Sequence, residues 1–141
     1  MRIMLDTNVL ISSIIFKSKI MNELIAAILK DHRLVLSSFV IEELKTVVQR
    51  KFEGRAAELD HFLTVLPFEY VYTPDEMDED LFEIRDEMDY PVLYSAIVED
   101  VDILITGDKD FAQLVNDNVL LVNTMGKDNS WLNSEGVEKK F

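Results

Sequence analysis

A chain of 141 residues is the size of one domain. With 48% apolar and 29% charged residues it can build a core rather than stay disordered. The absence of cysteine excludes disulfides, thiolate zinc sites and a cysteine nucleophile.

In chain order, Met1–Leu5 is a short apolar run that stops at Asp6, the pattern of a buried parallel strand. The run is too short for the core of a secretory leader, and no apolar run reaches the ~20 residues of a membrane span, so a soluble, cytoplasmic protein is expected. Val9–Phe16 and Ile20–Leu29 read as helices, the second with Ile20, Leu24, Ile28 and Leu29 at helical spacing. Leu34–Leu36 is a short strand, and Ser37 or Ser38 offers an N-cap to a helix carrying Val40, Ile41, Leu44, Val47 and Val48. A helix over Ala56–Leu66 closes at Pro67, and Phe68–Tyr72 alternates like a strand.

Nine acids lie between Asp75 and Asp89 with only Arg85 opposing them; this stretch reads as a solvated loop, with a basic partner segment as its other use. Asp89-Tyr90-Pro91 opens a helix through Val98, with proline in the first turn. Ile103–Ile105 is a strand, Lys109–Val115 a helix and Val119–Val122 a last strand. The alternation predicts a single α/β domain over residues 1–141, a three-layer α/β/α sandwich with a mostly parallel sheet of about five strands. Its motifs fall within residues 1–122, and residues 123–141 form a polar, irregular tail.

Net charge is −13, which at first argues against a polyanionic partner. The acid is local, however. Residues 1–55 carry nine bases against six acids, and the remainder five against twenty-one. The N-terminal half can therefore meet a nucleic acid if something neutralises the carboxylates near its phosphates.

In open α/β sheets functional groups gather at the carboxyl ends of the strands. Asp6 follows the first strand there, Asp108 follows Ile103–Thr106, and Asp89 stands at the start of a helix. Each taken alone could simply cap the helix after it. Capping does not explain the convergence of all three on one edge. A fourth acid must come from Glu42 or Glu43. At about 100° per residue, Glu42 lies roughly 160° from the centre of the apolar stripe of its helix and Glu43 roughly 100°. Glu42 then faces water, while Glu43 flanks the stripe and can reach the sheet edge; a salt bridge to a neighbouring helix is its other use. Four converging carboxylates repel one another unless a cation lies between them. Oxygen ligands without His or Cys select Mg²⁺ or Mn²⁺, and the chemistry such ions serve is phosphodiester hydrolysis.

At these residues the chain resembles the PIN-domain nucleases, and among them the PIN-type toxins of prokaryotic type II toxin–antitoxin pairs. Asp6-Thr7-Asn8-Val9-Leu10 is similar to the opening motif. Ser38-Phe39-Val40-Ile41-Glu42-Glu43-Leu44 is similar to the second, in which the acid directly before Leu is the ligand. Asp89-Tyr90-Pro91-Val92-Leu93-Tyr94-Ser95-Ala96 is similar to the third, and Ile105-Thr106-Gly107-Asp108-Lys109-Asp110-Phe111 to the fourth. The resemblance implies a Mg²⁺ or Mn²⁺ site held by Asp6, Glu43, Asp89 and Asp108, RNA cleavage, and a cognate antitoxin that blocks the site. A homodimer is a further partner to test. The chain departs from the pattern at Asp86-Glu87-Met88-Asp89, which leaves the role of Asp86 open, and in its tail.

Around this set, Thr7, Asn8 and Thr106 either orient the carboxylates from behind or cap helices. Asp110 is a ligand through water or a solvated helix residue. Lys17, Lys19, Arg50, Lys51 and Arg55 are candidate RNA contacts, each singly also an ordinary solvated base. Asp102, His32 and His61 read as surface residues. Two rival readings are a haloacid-dehalogenase-like phosphatase, which needs an Asp where this chain has Asn8, and a non-catalytic PIN-fold binding protein. A receiver domain would need an acid where Leu34–Leu36 runs into Ser37-Ser38.

Overall fold

The first apolar run is the middle strand of a parallel five-stranded sheet. The computed structural model describes residues 1–78 and 90–106 and the backbone of 120–123. Its elements run β1 (Arg2–Leu5), α1 (Thr7–Ile14), α2 (Lys19–Asp31), β2 (Arg33–Ser37), α3 (Ser38–Lys51), α4 (Ala56–Val65), β3 (Glu69–Val71), α5 (Tyr90–Val98), β4 (Ile103–Thr106) and β5 (Leu120–Asn123). The strand order is β3-β2-β1-β4-β5, with every neighbouring pair parallel. The expected α/β architecture and strand count are found, and each observed element falls where the apolar periodicity places it. The expected helix Lys109–Val115 and most of the tail lie outside the described residues, as do residues 79–89 of the acidic stretch.

Consecutive strand residues point to opposite faces, so burial of every residue in Ile3–Leu5, Leu34–Ser37 and Ile103–Thr106 means both faces of the central strands are covered. Among the strands whose side chains are described, β3 is different. Val71 is buried, whereas Tyr70 is 56% exposed, so one face of this edge strand is open. The helices pack apolar stripes on the sheet: Val9, Leu10, Ile11 and Ile14 of α1, Leu24, Ile25 and Ile28 of α2, and Val40, Ile41, Leu44 and Val48 of α3. Fully burying a side chain of this size contributes about 1.5–3 kcal/mol. Side chains cap the first three helices: Asp6, Ser18 and Ser37 accept from the backbone N–H of Val9, Met21 and Val40. Gly54, at φ +85°, makes the left-handed turn between α3 and α4 that a side chain would strain. Among the described residues no helix is long and apolar enough to cross a membrane.

At the amino edge of the sheet, Arg2 and Arg33 both bond the Glu69 carboxylate, the second at 3.2 Å. Arg2 also donates to the Glu99 carbonyl, and its backbone N–H donates to Asp102 at 2.8 Å. The Arg2 guanidinium holds Glu69 below its ordinary carboxylate range, with Arg33 adding to the effect. A carboxyl group depressed on folding stabilises at neutral pH, and that contribution is lost as pH falls through its folded value. Glu69→Gln is therefore expected to flatten stability against pH on the acid side and to leave the alkaline side alone. Urea midpoints from pH 7 to 3 check this; an unchanged acid limb would show that the cluster carries no linkage.

Candidate active site

The chain passes from β1 to β2 and β3 on one side, then crosses to β4 and β5 on the other. The strand order therefore reverses between β1 and β4, where open α/β sheets leave a crevice at the carboxyl ends. Asp6 stands at that point. Its N–H donates to the Ile105 carbonyl at 3.2 Å, which continues the β1–β4 ladder by one residue. Its carboxylate is held at both oxygens: Val9 N–H donates to Oδ1 at 3.0 Å, and the Thr106 hydroxyl donates to Oδ2. Asp6 is 4% exposed and Thr106 is fully buried. The capping reading of Asp6 is thus correct for one oxygen, while Thr106 orients the other.

Thr7 opens α1 but does not cap it. Its side chain is buried, and among the described residues Oγ1 has no hydrogen-bond partner. A buried hydroxyl left unsatisfied costs about 1–3 kcal/mol, so its place beside a buried carboxylate needs an explanation. Asn8 is exposed. On α3, Glu42 is exposed and Glu43 is half-buried, the order that the helix phase requires. Asp89, Asp108, Asp110 and Asp86 lie outside the described residues. The structure accordingly places two of the four expected carboxylates, and among the described residues no group of three acids or histidines could hold a metal ion.

A set of buried hydroxyls behind this edge gives no sign in the sequence. Thr73, just after β3, takes the Phe39 N–H on its hydroxyl at 3.3 Å and gives its own N–H to Ser38 Oγ at 2.8 Å. The same hydroxyl shares a 2.7 Å hydrogen bond with Ser95 of α5. Farther out, the Asp78 N–H donates to the Tyr94 hydroxyl at 3.3 Å, the Tyr90 hydroxyl donates to the Asp78 carbonyl, and the two rings stack 5.9 Å apart. These contacts join the start of α3, which carries Glu43, to α5, whose first residue follows Asp89.

Four of the five candidate bases face solvent, while Arg55 is half-buried and bonded to Glu58 and to the Ile15 carbonyl. Lys17 and Lys19 have strongly exposed side chains, paired with Glu58 at 3.9 Å and Glu23 at 4.0 Å, and Arg50 and Lys51 are exposed in the last turn of α3. His61 and Asp102 are exposed as expected. His32 differs: it is half-buried, its Nδ1 lies 3.0 Å from the Met1 amine, and burial followed by that ammonium lowers its pKa.

A PIN-domain family model matches residues 2–110. No curated protein matches the chain. Among solved structures, the chain is similar to VapBC2 from Rickettsia felis bound to a promoter DNA fragment, at 24% identity, covering 87% of this chain and 98% of that one with a TM-score of 0.68. DNA-bound VapBC from Salmonella typhimurium is similar at 15% identity, with coverage of 87% and 98% and a TM-score of 0.63. VapC20 from Mycobacterium tuberculosis, described as a sarcin-ricin loop cleaving toxin, is similar at 15% identity, with coverage of 80% and 96% and a TM-score of 0.54. At these identities the three structures carry the fold alone.

Proposed function

Because the chain belongs to the PIN-domain family, we propose that it is a metal-dependent endoribonuclease and the toxin of a toxin–antitoxin pair. The observation that carries this reading is the buried Asp6 carboxylate, fixed by Val9 and Thr106 at the point where the strand order reverses. Asp6 and Glu43, with Asp89 and Asp108 from the later motifs and Asp110 through a water, would hold Mg²⁺ or Mn²⁺. All are hard oxygen donors, and the chain has no cysteine to compete for a softer ion. The unsatisfied Thr7 hydroxyl beside Asp6 fits the same assignment, since an ion-bound water or a substrate oxygen would give it a partner. When bound, such a cation supplies an activated water and offsets the charge that builds on the phosphoryl group. The protein's own share is positioning. Thr106 and the first turn of α1 hold Asp6 in one orientation, so the carboxylate needs no rearrangement when substrate arrives.

A cognate antitoxin is the proposed partner, and the likeness to VapBC structures and to a loop-cleaving toxin supports this assignment. The test incubates purified protein with single-stranded and structured RNA in Mg²⁺, in Mn²⁺ and in chelator. Cleavage is expected only with metal. Activity that persists in chelator would overturn the mechanism, and hydrolysis of a simple phosphomonoester without RNA cleavage would favour the phosphatase.

Glu43 and Glu42 are expected to separate in the same assay. Glu43→Gln should lower activity by more than the roughly 10–100-fold typical of groups that stand behind a metal ligand. Glu42→Gln, on the water face, should stay within about ±0.5 kcal/mol in stability and keep full activity. Equal losses would place the ligand on the wrong residue.

A further inference from the structure

Lys17, Arg50, Lys51 and Arg55 belong to three separate parts of the chain, which the Phe16–Phe52 ring contact and a hydrogen bond from Arg55 to the Ile15 carbonyl bring together. Phe16 follows α1 and is 66% exposed. Its ring meets that of Phe52 in a T-shaped contact, with centroids 5.6 Å apart and planes at 84°. The contact holds Phe16 in place and leaves most of it in water. Lys17 turns the chain away from α1 in the left-handed region, at φ +51°, a conformation that L-residues other than Gly, Asn and Asp seldom adopt. Arg55 donates to the Ile15 carbonyl at 3.4 Å and to Glu58 at 2.5 Å, which ties the start of α4 to the end of α1. Glu58 also lies 3.9 Å from Lys17. Arg50 and Lys51 make no ion pair with a carboxylate among the described residues.

A single exposed hydrophobic side chain is ordinary. A ring braced by a second ring, with Lys17 following it directly and Arg50 and Lys51 just before the residue it packs on, in a chain of net charge −13, is not. We propose that this patch anchors a single-stranded segment of the RNA substrate, with one base stacked on Phe16 and the adjoining phosphates on Lys17, Arg50 and Lys51, while Arg55 braces the patch from behind. Alternation of an aromatic face with cations is how sequence-tolerant single-strand sites are built. An apolar protein partner is marked by a contiguous apolar surface of more than a few hundred Å²; here the strongly exposed Lys17 follows the ring directly. The assignment rests on the nuclease reading and extends it. Arg50 and Lys51 lie seven and eight residues beyond Glu43 on the same helix, about 10–12 Å along its axis. A single strand running from the acidic edge to the patch would have to span about that length.

The test measures fluorescence anisotropy of a short labelled single-stranded RNA on the Asp6→Asn protein, which separates binding from cleavage, over a salt titration. Phe16→Ala in that background should weaken binding by roughly 5- to 150-fold. Phe16→Trp, which keeps a ring, should restore it. Arg50→Gln and Lys51→Gln should each reduce the slope of log affinity against log salt by about one unit. In the otherwise native enzyme, Phe16→Ala should raise KM for a long RNA and leave kcat unchanged. Parental affinity in Phe16→Ala, an unchanged salt slope, or no RNA binding by the Asp6→Asn protein would each overturn the anchoring site. So would loss of binding to a co-expressed protein partner with RNA binding intact. Failure of the unsubstituted protein to cleave in any metal overturns the nuclease reading instead, since binding at the patch is read separately.

Discussion

Asp6→Asn is expected to abolish RNA cleavage and, in metal-free protein, to raise the melting temperature. Asn keeps the shape of the side chain. Its amide oxygen can still take the Val9 N–H, and Asn caps a helix about as well as Asp. The Thr106 hydroxyl can rotate from donor to acceptor and so meet the amide nitrogen. What changes is charge: an ionised carboxylate in a buried place, facing other acids in the proposed site, becomes neutral. Each kcal/mol gained should raise the midpoint by about 3 °C in a domain of this size. Mg²⁺ at a hundredfold over its Kd should stabilise the unsubstituted protein by about 2.7 kcal/mol and the variant far less. Four thermal melts, each protein with and without Mg²⁺, read both effects. Identical responses to metal would mean that Asp6 caps a helix and binds nothing.

Away from the acids, Thr73→Val is expected to cost both stability and activity. Valine matches threonine in shape, so no cavity forms, but the Phe39 N–H loses its acceptor and the buried Ser95 hydroxyl loses its partner. Leaving the buried Ser95 hydroxyl and the part-buried Phe39 N–H unsatisfied costs about 1–3 kcal/mol each. Because the same hydroxyl joins the start of α3 to α5, the variant should also lose cleavage beyond its loss of folded protein, through lower kcat. Thr73→Ser keeps the hydroxyl and should recover both. Urea unfolding, with activity corrected for the folded fraction, checks this; a stability loss with full corrected activity would make the contact purely structural.

The parts of the fold and site that the sequence displays are those set by short-range patterns. Asp6 is visible because an apolar run ends in it, and Glu43 separates from Glu42 because one turn of helix fixes which of them faces water. The alternation of elements is enough for a parallel sheet. Thr73 and Ser95 are invisible because their hydrogen bond joins residues 22 apart with no period between them, and Arg2 with Glu69 because theirs spans 67. Thr106 could be suspected beside Asp6 from its motif, yet only the β1–β4 register makes their side chains meet. The convergence of Glu43, Asp89 and Asp108 on Asp6 rests on the sequence and its family.

The open face of β3 also bears on how copies of this protein can meet. A strand at the rim of a sheet offers N–H and C=O groups to any further strand, and a long flat one seeds aggregation. Here the strand is three residues long. Two of the chain's three prolines, Pro67 and Pro74, stand on either side of it and offer no N–H. The template is cut off before an incoming strand could gain more than a few bonds. Tyr70 can thus lie exposed on that face without inviting sheet growth, and any pairing of two copies at this side has to use side-chain surfaces rather than a shared sheet.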